Sequence, residues 1–334
     1  MKIGKWAAWT LVAVLGLVFA GLGAARGAAW WRETHSTAVK PDGGANIRAG
    51  DLDIFVQTSG PANGVPLLLV HGTAAWSGFW HDAATRLGEA GFRAIAVDMP
   101  PFGFSGRSAE GRYSREDQAR RLAAVIANMQ LRNAIVIGHS FGAGAAVELA
   151  MRHPDAIGGL VIVSGALSLP EPGQDYPPDN SLLRAALGNP IASETLTASV
   201  VVNPLLTRKL LASLLYKTEA ATQAQADILI LPQSLPGTTQ AYAKWLPFLL
   251  FPDSGAMSAN PANYAAIKAP TIIIWGANDS VTPVMQGRRL HAMIGNASMD
   301  IMDSTGHIPH IENPGPFLDL LIKRLRSQAF ARAD

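Results

Sequence analysis

Short apolar runs alternate with helix-like patterns along most of the chain. Apolar and polar residues alternate at 51–60 and 297–303, which predicts an edge strand and a late flanking strand. Strands that alternate with helices predict an α/β fold, in which helices flank a mostly parallel central sheet. Continuous apolar runs predict strands covered on both faces at 65–72, 92–100, 133–140, 158–166 and 269–279, and helical spacing predicts helices at 114–130, 141–153 and 316–328.

The alternation of strands and helices stops in the second half of the chain. Residues 169–265 carry helical spacing and no clear strand, so we predict an inserted helical cap, or lid, over this range. The predicted α/β core then consists of 50–168 and 266–334. Residues 34–49 contain Pro, Gly and Asn without a period, which is typical of a linker.

The first 33 residues contain a long uncharged run, from Trp6 to Ala25, between flanking basic residues. Twenty helical residues rise about 30 Å, which matches the thickness of a bilayer core. We therefore predict that 1–33 is a single-span membrane anchor that holds an exported catalytic domain. A cleaved signal, which would leave a secreted or periplasmic protein, is the alternative, because small residues follow the run.

Composition narrows the possible functions. The hydrophobic content of 49% supplies a core and excludes a disordered chain. A net charge of +2 argues against binding of nucleic acid through its phosphates, so no nucleic-acid partner is expected. The chain has no cysteine, which removes disulfides, thiol nucleophiles and thiolate metal sites.

The segment GHSFG, from Gly138 to Gly142, has the form G-x-S-x-G and lies between a predicted strand and a predicted helix. A serine at such a turn projects above the sheet, so Ser140 is the predicted nucleophile. A turn serine without chemistry is the alternative interpretation of the motif alone. A dinucleotide-binding loop is disfavoured, because the third glycine of G-x-G-x-x-G is replaced by Val147.

A serine nucleophile needs a general base and a residue that orients the base. Asp279 and His307 follow predicted strands in the chain order serine, acid, histidine, and we predict that they complete a triad. Each alone could be an ordinary turn residue. The pair His307 and His310 could suggest a metal, but without cysteines or a helical Glu motif we expect neither metal nor cofactor.

An acyl-transfer site also needs backbone N–H groups that stabilise an oxyanion. The predicted donors are Phe141, directly after the nucleophile, and Thr73 in the loop His71-Gly72-Thr73, with Ala74 as second choice.

Together these motifs resemble the α/β-hydrolase superfamily, and in particular its cap-containing serine hydrolases. The matching segments are HGT at 71–73, DMPPFGFSG at 98–106, GHSFG at 138–142, GANDSVTP at 276–283 and GHIPHIENP at 306–314. The resemblance covers roughly 48–328 and includes esterases, lipases and carbon–carbon bond hydrolases. It implies the triad Ser140, Asp279 and His307 and the oxyanion donors Thr73 and Phe141.

The predicted function is a serine hydrolase that cleaves a lipophilic carboxylic ester through an acyl-enzyme. Trp76, Phe79 and Trp80 follow the oxyanion loop and are predicted to line an apolar substrate pocket, although packing between cap and core would also explain them. The alternatives are hydrolysis of a carbon–carbon bond in a vinylogous diketone, and a non-catalytic or accessory binder of a lipophilic ligand. The natural substrate and the oligomeric state do not follow from the sequence.

Overall fold

The computed structural model describes residues 2–170 and 180–327, with side chains from residue 16 onward. An eight-stranded sheet in the order β1-β2-β4-β3-β5-β6-β7-β8 forms its centre. Strands β3 to β8 are parallel, whereas β2 is antiparallel to both β1 and β4. The α/β class predicted from the sequence is confirmed. The strands are β1 Gly44–Ala49, β2 Leu52–Ser59, β3 Pro66–Val70, β4 Arg93–Val97, β5 Ala134–His139, β6 Ile157–Val163, β7 Thr271–Gly276 and β8 Ala297–Met302.

Helices precede the sheet, flank it and connect its strands. The first is the long helix α1, Lys2–Thr34. Those of the sheet layers are α2 His81–Glu89, α3 Arg115–Asn128, α4 Phe141–Arg152, and, after an excursion between β6 and β7, α10 Val284–Met293, α11 Pro309–Glu312 and α12 Pro314–Leu325. The excursion contains α5 Ser181–Gly188, α6 Pro190–Leu196, α7 Pro204–Leu214, α8 Gln223–Ile230 and α9 Thr238–Leu250.

Two apolar layers bury the two faces of the sheet. Along β3, Leu67 and Leu69 belong to the layer that includes α2 and α12, whereas Leu68 and Val70 belong to the layer with α3, α4 and α10. Successive strand side chains point to opposite faces, so a strand covered on both sides is apolar at every position. This explains why the central strands are continuous apolar runs in the sequence.

The predicted linker at 34–49 is only partly a linker. Gly44–Ala49 is β1, which pairs with β2 across the turn at Gly50, a glycine with φ of 67°. As a result, β2 lies inside the sheet and β1 takes the edge that the sequence assigned to 51–60. The strand β1, with the sequence GANIRA, was missed because it is short and has only one large apolar residue, Ile47; hairpin pairing rather than apolar burial defines it.

The described part of the excursion between β6 and β7 contains five α-helices joined by shorter helical turns, and residues 180–270 contain no strand. This excursion coincides with most of the predicted cap, and we use the name cap for 180–265; the predicted cap residues 171–179 lie outside the described residues. The end of α1 packs on it: Arg26 pairs with Glu194, Arg32 donates to the carbonyl of Val202 at 2.8 Å, and Ala29 is buried. The C-terminal end of α1 therefore packs directly against the cap.

The predicted membrane anchor receives no support from the structure. Within the described part of the chain, no helix combines the length and the apolar character that crossing a membrane requires. The side chains of residues 1–15, which include much of the predicted span, lie outside the described residues.

Glu33 provides a test of the α1–cap contact. Its carboxylate accepts hydrogen bonds from the backbone N–H of Gly237 at 3.0 Å, from the N–H of Thr239 at 2.8 Å, and from the Thr239 hydroxyl. Because charge-assisted hydrogen bonds are lost, we expect Glu33→Ala to lower the free energy of unfolding by about 1–3 kcal/mol. Thermal and urea unfolding measure this change. An exposed glutamate on α2 supplies the control, Glu89→Ala, and equal losses in both variants would contradict the contact.

Candidate active site

Three of the predicted site residues lie at one edge of the sheet. Ser140 directly follows β5, and Asp279 and His307 lie in the loops that follow β7 and β8. Because the carboxyl ends of parallel strands meet at one edge, the topology brings these residues together although they are distant in sequence.

The backbone at Ser140 is forced into a strained turn. Its φ of 51° and ψ of −121° lie outside the regions that a non-glycine residue favours. Three hydrogen bonds hold the turn: the Ser140 N–H donates to the carbonyl of Val163, and the N–H groups of Ala143 and Ala166 donate to the carbonyl of Ser140, all at 3.0 Å. A Cβ at Gly142 would lie 2.3 Å from the backbone oxygen of His71, so glycine is required there.

A continuous hydrogen-bonded chain joins the three side chains. His307 Nε2 lies 2.8 Å from Ser140 Oγ, and His307 Nδ1 lies 2.9 Å from Asp279 Oδ2. The side chains of His307 and Asp279 are 3% and 0% exposed. With Asp279 ionised, Nδ1–H donates to the carboxylate, which leaves Nε2 to accept the hydrogen bond from Ser140 Oγ–H.

Asp279 is held in its charged form. Burial opposes ionisation, but the hydrogen bond and charge of His307, together with hydrogen bonds from Thr282, outweigh it and lower the pKa of the carboxyl below its ordinary value. The Thr282 hydroxyl donates to Oδ2 at 2.8 Å, and the N–H groups of Val281 and Thr282 donate to Oδ1. Sequence reasoning missed Thr282, although its position shortly after Asp279 in the GANDSVTP segment was a signal.

Two further histidines, to which the sequence analysis gave no catalytic role, fix the loops around the triad. His139 lies 2.9 Å from the backbone oxygen of His307 through Nε2, and burial, reinforced by the charge of His307, lowers the pKa of His139 to about 3. His71 accepts from the Met99 N–H at 2.9 Å, and burial lowers its pKa to about 4. Both imidazoles are therefore neutral near pH 7, and His139 donates to the loop that carries His307.

The predicted oxyanion donors have free N–H groups. Within the described residues, neither the backbone N–H of Thr73 nor that of Phe141 donates to a protein acceptor. Thr73 and Ala74 lie in the wall of the cavity that contains Ser140, and Ala74 has a positive φ of 55°. Phe141 begins α4, where the helix dipole adds partial positive charge.

A cavity of about 390 Å³ opens at Ser140 beneath the cap. No Asp, Glu, Lys or Arg is among its described lining residues, so the cavity is suited to an uncharged ligand. Its apolar wall comes from both core and cap: Ala74, Ala75, Phe79, Ala166, Val200, Val201, Leu210, Leu211, Leu214, Leu229, Trp245, Leu249, Val281 and Ile308.

Of the three aromatic residues predicted to line the pocket, the structure places Phe79 in the cavity wall but neither tryptophan. Trp76 packs on Phe104, with ring centroids 5.4 Å apart, and its Nε1 donates to the carbonyl of Ile228. Trp80 is fully buried and stacks on His310 with a centroid distance of 4.0 Å. Both indoles thus pack inside the protein, which sequence spacing alone does not determine.

The described residues do not form a metal-binding site. Across the described ranges, no cluster of three or more His, Asp or Glu side chains could hold a metal ion. His310, the neighbour that suggested a metal pair, packs against Trp80, and its Nδ1 has no hydrogen-bond partner among the described residues.

Most of the chain is similar to proteins of known family. Residues 65–314 match the family model described as the alpha/beta hydrolase fold, which confirms the resemblance inferred from the motifs. The chain is 26% identical over 285 residues to the 2-hydroxymuconate semialdehyde hydrolase of Pseudomonas sp. (strain CF600), a match that covers 84% of this chain and 93% of that protein.

Solved structures share the fold at lower sequence identity. The meta-cleavage product hydrolase from Pseudomonas fluorescens IP01 is 22% identical with a TM-score of 0.68, over 87% of this chain and 98% of the other. A membrane phospholipase A described as a bacterial virulence factor is 22% identical with a TM-score of 0.66, over 97% of this chain and 98% of the other. The second match therefore extends into α1.

His310 makes stability depend on pH. Burial, reinforced by the charges of His139 and His307, lowers the pKa of His310 well below its ordinary value. The unfolded chain takes up a proton near pH 6.5 and the folded chain does not, so this histidine lowers stability as pH falls below about 6.5. We expect His310→Phe to reduce the loss of unfolding free energy between pH 7 and 5, by at most about 2 kcal/mol. Urea unfolding at both pH values measures the difference, and equal pH slopes in the two proteins would contradict the prediction.

Proposed function

The chain belongs to the α/β-hydrolase family, and from this premise we propose that it is a serine hydrolase that cleaves a neutral, lipophilic carboxylic ester. One observation carries the proposal: the hydrogen-bonded chain of Ser140, His307 and Asp279 opens into a largely apolar cavity, whose described wall contains no Asp, Glu, Lys or Arg. Ester hydrolysis would use these three side chains together with the backbone N–H groups of Thr73 and Phe141.

In the proposed first step, Ser140 Oγ attacks the ester carbonyl carbon while His307 Nε2 takes its proton. The N–H groups of Thr73 and Phe141 stabilise the oxyanion of the tetrahedral intermediate. Asp279 stabilises the imidazolium and does not take up its proton. His307 then donates the proton to the departing alkoxide oxygen, which leaves an acyl group on Ser140.

In the second step, His307 takes a proton from water as the water oxygen attacks the acyl carbon. A second tetrahedral intermediate uses the same two N–H donors. Its collapse returns the proton to Ser140 and releases the carboxylic acid. Because His139 and His71 stay neutral near pH 7, we assign them positioning roles rather than proton transfer.

The second candidate is hydrolysis of a carbon–carbon bond in a vinylogous diketone, and the curated relatives favour it over the ester. The relative named above acts on 2-hydroxymuconate semialdehyde, and that name denotes a carboxylate. A carboxylate held in a cavity normally has a cationic partner, and the described cavity wall contains no Lys or Arg. This difference is why we place the neutral ester first.

The triad proposal predicts the behaviour of Ser140→Ala. We expect this variant to stay folded and to lose about 10³-fold or more of the kcat for p-nitrophenyl esters, because the nucleophile is gone. The full-length chain is assayed with esters from acetyl to palmitoyl, and the melting temperature controls for folding. Full activity in Ser140→Ala would refute the assignment of the nucleophile, and a steady decline beyond acetyl would refute the lipophilic pocket.

The same preparation separates the candidate functions. The wild-type chain is also assayed with a meta-ring-fission product and labelled with a fluorophosphonate. Turnover of the ring-fission product without ester hydrolysis would establish the second candidate. Failure of the probe to label Ser140 in the folded protein would indicate a non-catalytic binder.

We also propose that the N-terminal segment 1–33 tethers the enzyme to a membrane. The uncharged run from Trp6 to Ala25 supports this, because twenty helical residues rise about 30 Å, the thickness of a bilayer core. We expect the intact N-terminus in the membrane fraction, detected by mass spectrometry. A mature chain that begins near Arg26 would instead establish a cleaved signal.

A further inference from the structure

The cap places one amide side chain, that of Gln233, in the wall of the cavity that contains Ser140. Gln233 is 5% exposed, and within the described residues its amide makes no hydrogen bond; its Oε1 is buried without a partner. Buried polar groups usually have a partner, and Gln233 differs from Gln225, the other glutamine with an unpaired buried amide oxygen, because it lies in the wall of a substrate-sized cavity.

The two hydroxyl side chains of the described cap wall differ from Gln233 in this respect, whereas Trp245 Nε1, like Gln233 Oε1, is buried without a partner. The Thr207 hydroxyl donates to the carbonyl of Asn203 at 3.2 Å, and the Ser213 hydroxyl donates to the carbonyl of Leu210 at 2.7 Å. These hydroxyls are used within their own helix, α7. Gln233 therefore supplies hydrogen-bonding capacity that the fold itself leaves unused.

We propose that Gln233 forms a subsite for one neutral carbonyl or hydroxyl group of the substrate, remote from the bond that is cleaved. A primary amide both donates and accepts, so it fits either group, and no Asp, Glu, Lys or Arg is among the described lining residues to select an ion. The proposal rests on the hydrolase function above and specifies its substrate class: an apolar carbonyl compound with one further oxygen function.

The turn that carries Gln233 is held firmly. Ser234 Oγ lies 3.1 Å from Ser36 Oγ, just beyond the end of α1. The Thr238 hydroxyl donates to the carbonyl of Leu235 at 2.7 Å and accepts from Arg107 at 2.6 Å. Because these bonds hold the residues on either side of Gln233, the backbone that carries the amide needs little ordering when a ligand binds.

Discrimination should be strong because the surroundings are apolar. A ligand without the extra oxygen leaves the Gln233 amide unpaired in a closed site, whereas a ligand with it satisfies the amide. Replacement of Gln233 by leucine should remove the preference for the ligand with the extra oxygen, since the leucine side chain has a similar size and no polar atom.

The test compares p-nitrophenyl esters of straight-chain acids with esters of the same length that carry one oxo group at successive carbons. For the full-length wild type, we expect a higher kcat/KM for the oxo ester at one position. Gln233→Leu is expected to lower the ratio of oxo to plain ester by about tenfold or more at that position. Gln225→Leu is the matched control, because Gln225 on α8 also buries an unpaired amide oxygen but does not line the cavity.

A binding measurement makes the test independent of turnover. Dissociation constants of the same esters are measured for Ser140→Ala, with and without Gln233→Leu, through tryptophan fluorescence, since Trp245 lies in the cavity wall. The absence of any oxo preference in the wild type, or a preference that survives Gln233→Leu, would overturn the subsite. An oxo preference in binding that Gln233→Leu removes, in a protein that hydrolyses no ester, would support the subsite and refute the ester function.

Discussion

The chain must turn from β5 into α4 at a single residue, Ser140, and the arrangement of the site depends on that turn. A positive φ is unfavourable for serine, so the surrounding structure has to impose it. The sheet does this through the Ser140–Val163 hydrogen bond, and α4 packs so closely on the oxyanion loop that residue 142 must be glycine. The same strain exposes Oγ to His307 and leaves the Phe141 N–H free at the start of a helix. The strained turn thus places the proposed nucleophile and one of the proposed oxyanion donors in adjacent residues.

Burial lowers the pKa of the three histidines that surround this turn. Burial holds His71 and His139 neutral near pH 7, and His310 is likewise depressed in pKa, so three imidazoles near the triad act as shaped, uncharged polar groups. Asp279 alone in the triad is kept ionised, by His307 and Thr282. Its carboxylate accepts from Nδ1 of His307, the imidazole whose Nε2 reaches Ser140 Oγ. The described wall of the adjoining cavity likewise contains no Asp, Glu, Lys or Arg.

Much of this could be predicted from the sequence, and the reason is topological. Ser140, Asp279 and His307 each follow a strand of a parallel sheet, so motif order and strand order suffice to bring them to one edge. Side-chain direction is different: Trp76 and Trp80 turn into the interior because of contacts with Phe104 and His310 that no local pattern specifies. Strand β1 was missed for a related reason, since its pairing with β2, rather than its own composition, makes it a strand.

The proposed role of Gln233 could not be predicted from the sequence, because it depends on the amide having no hydrogen-bond partner in the folded protein. Only the packed cap reveals that this amide, unlike Thr207 and Ser213 nearby, has no use within the fold. The turn that carries it is also where α1 ends against the cap, through Ser36 and Glu33. The end of the N-terminal helix and Gln233 therefore meet in one part of the cap, the part that we propose recognises the substrate.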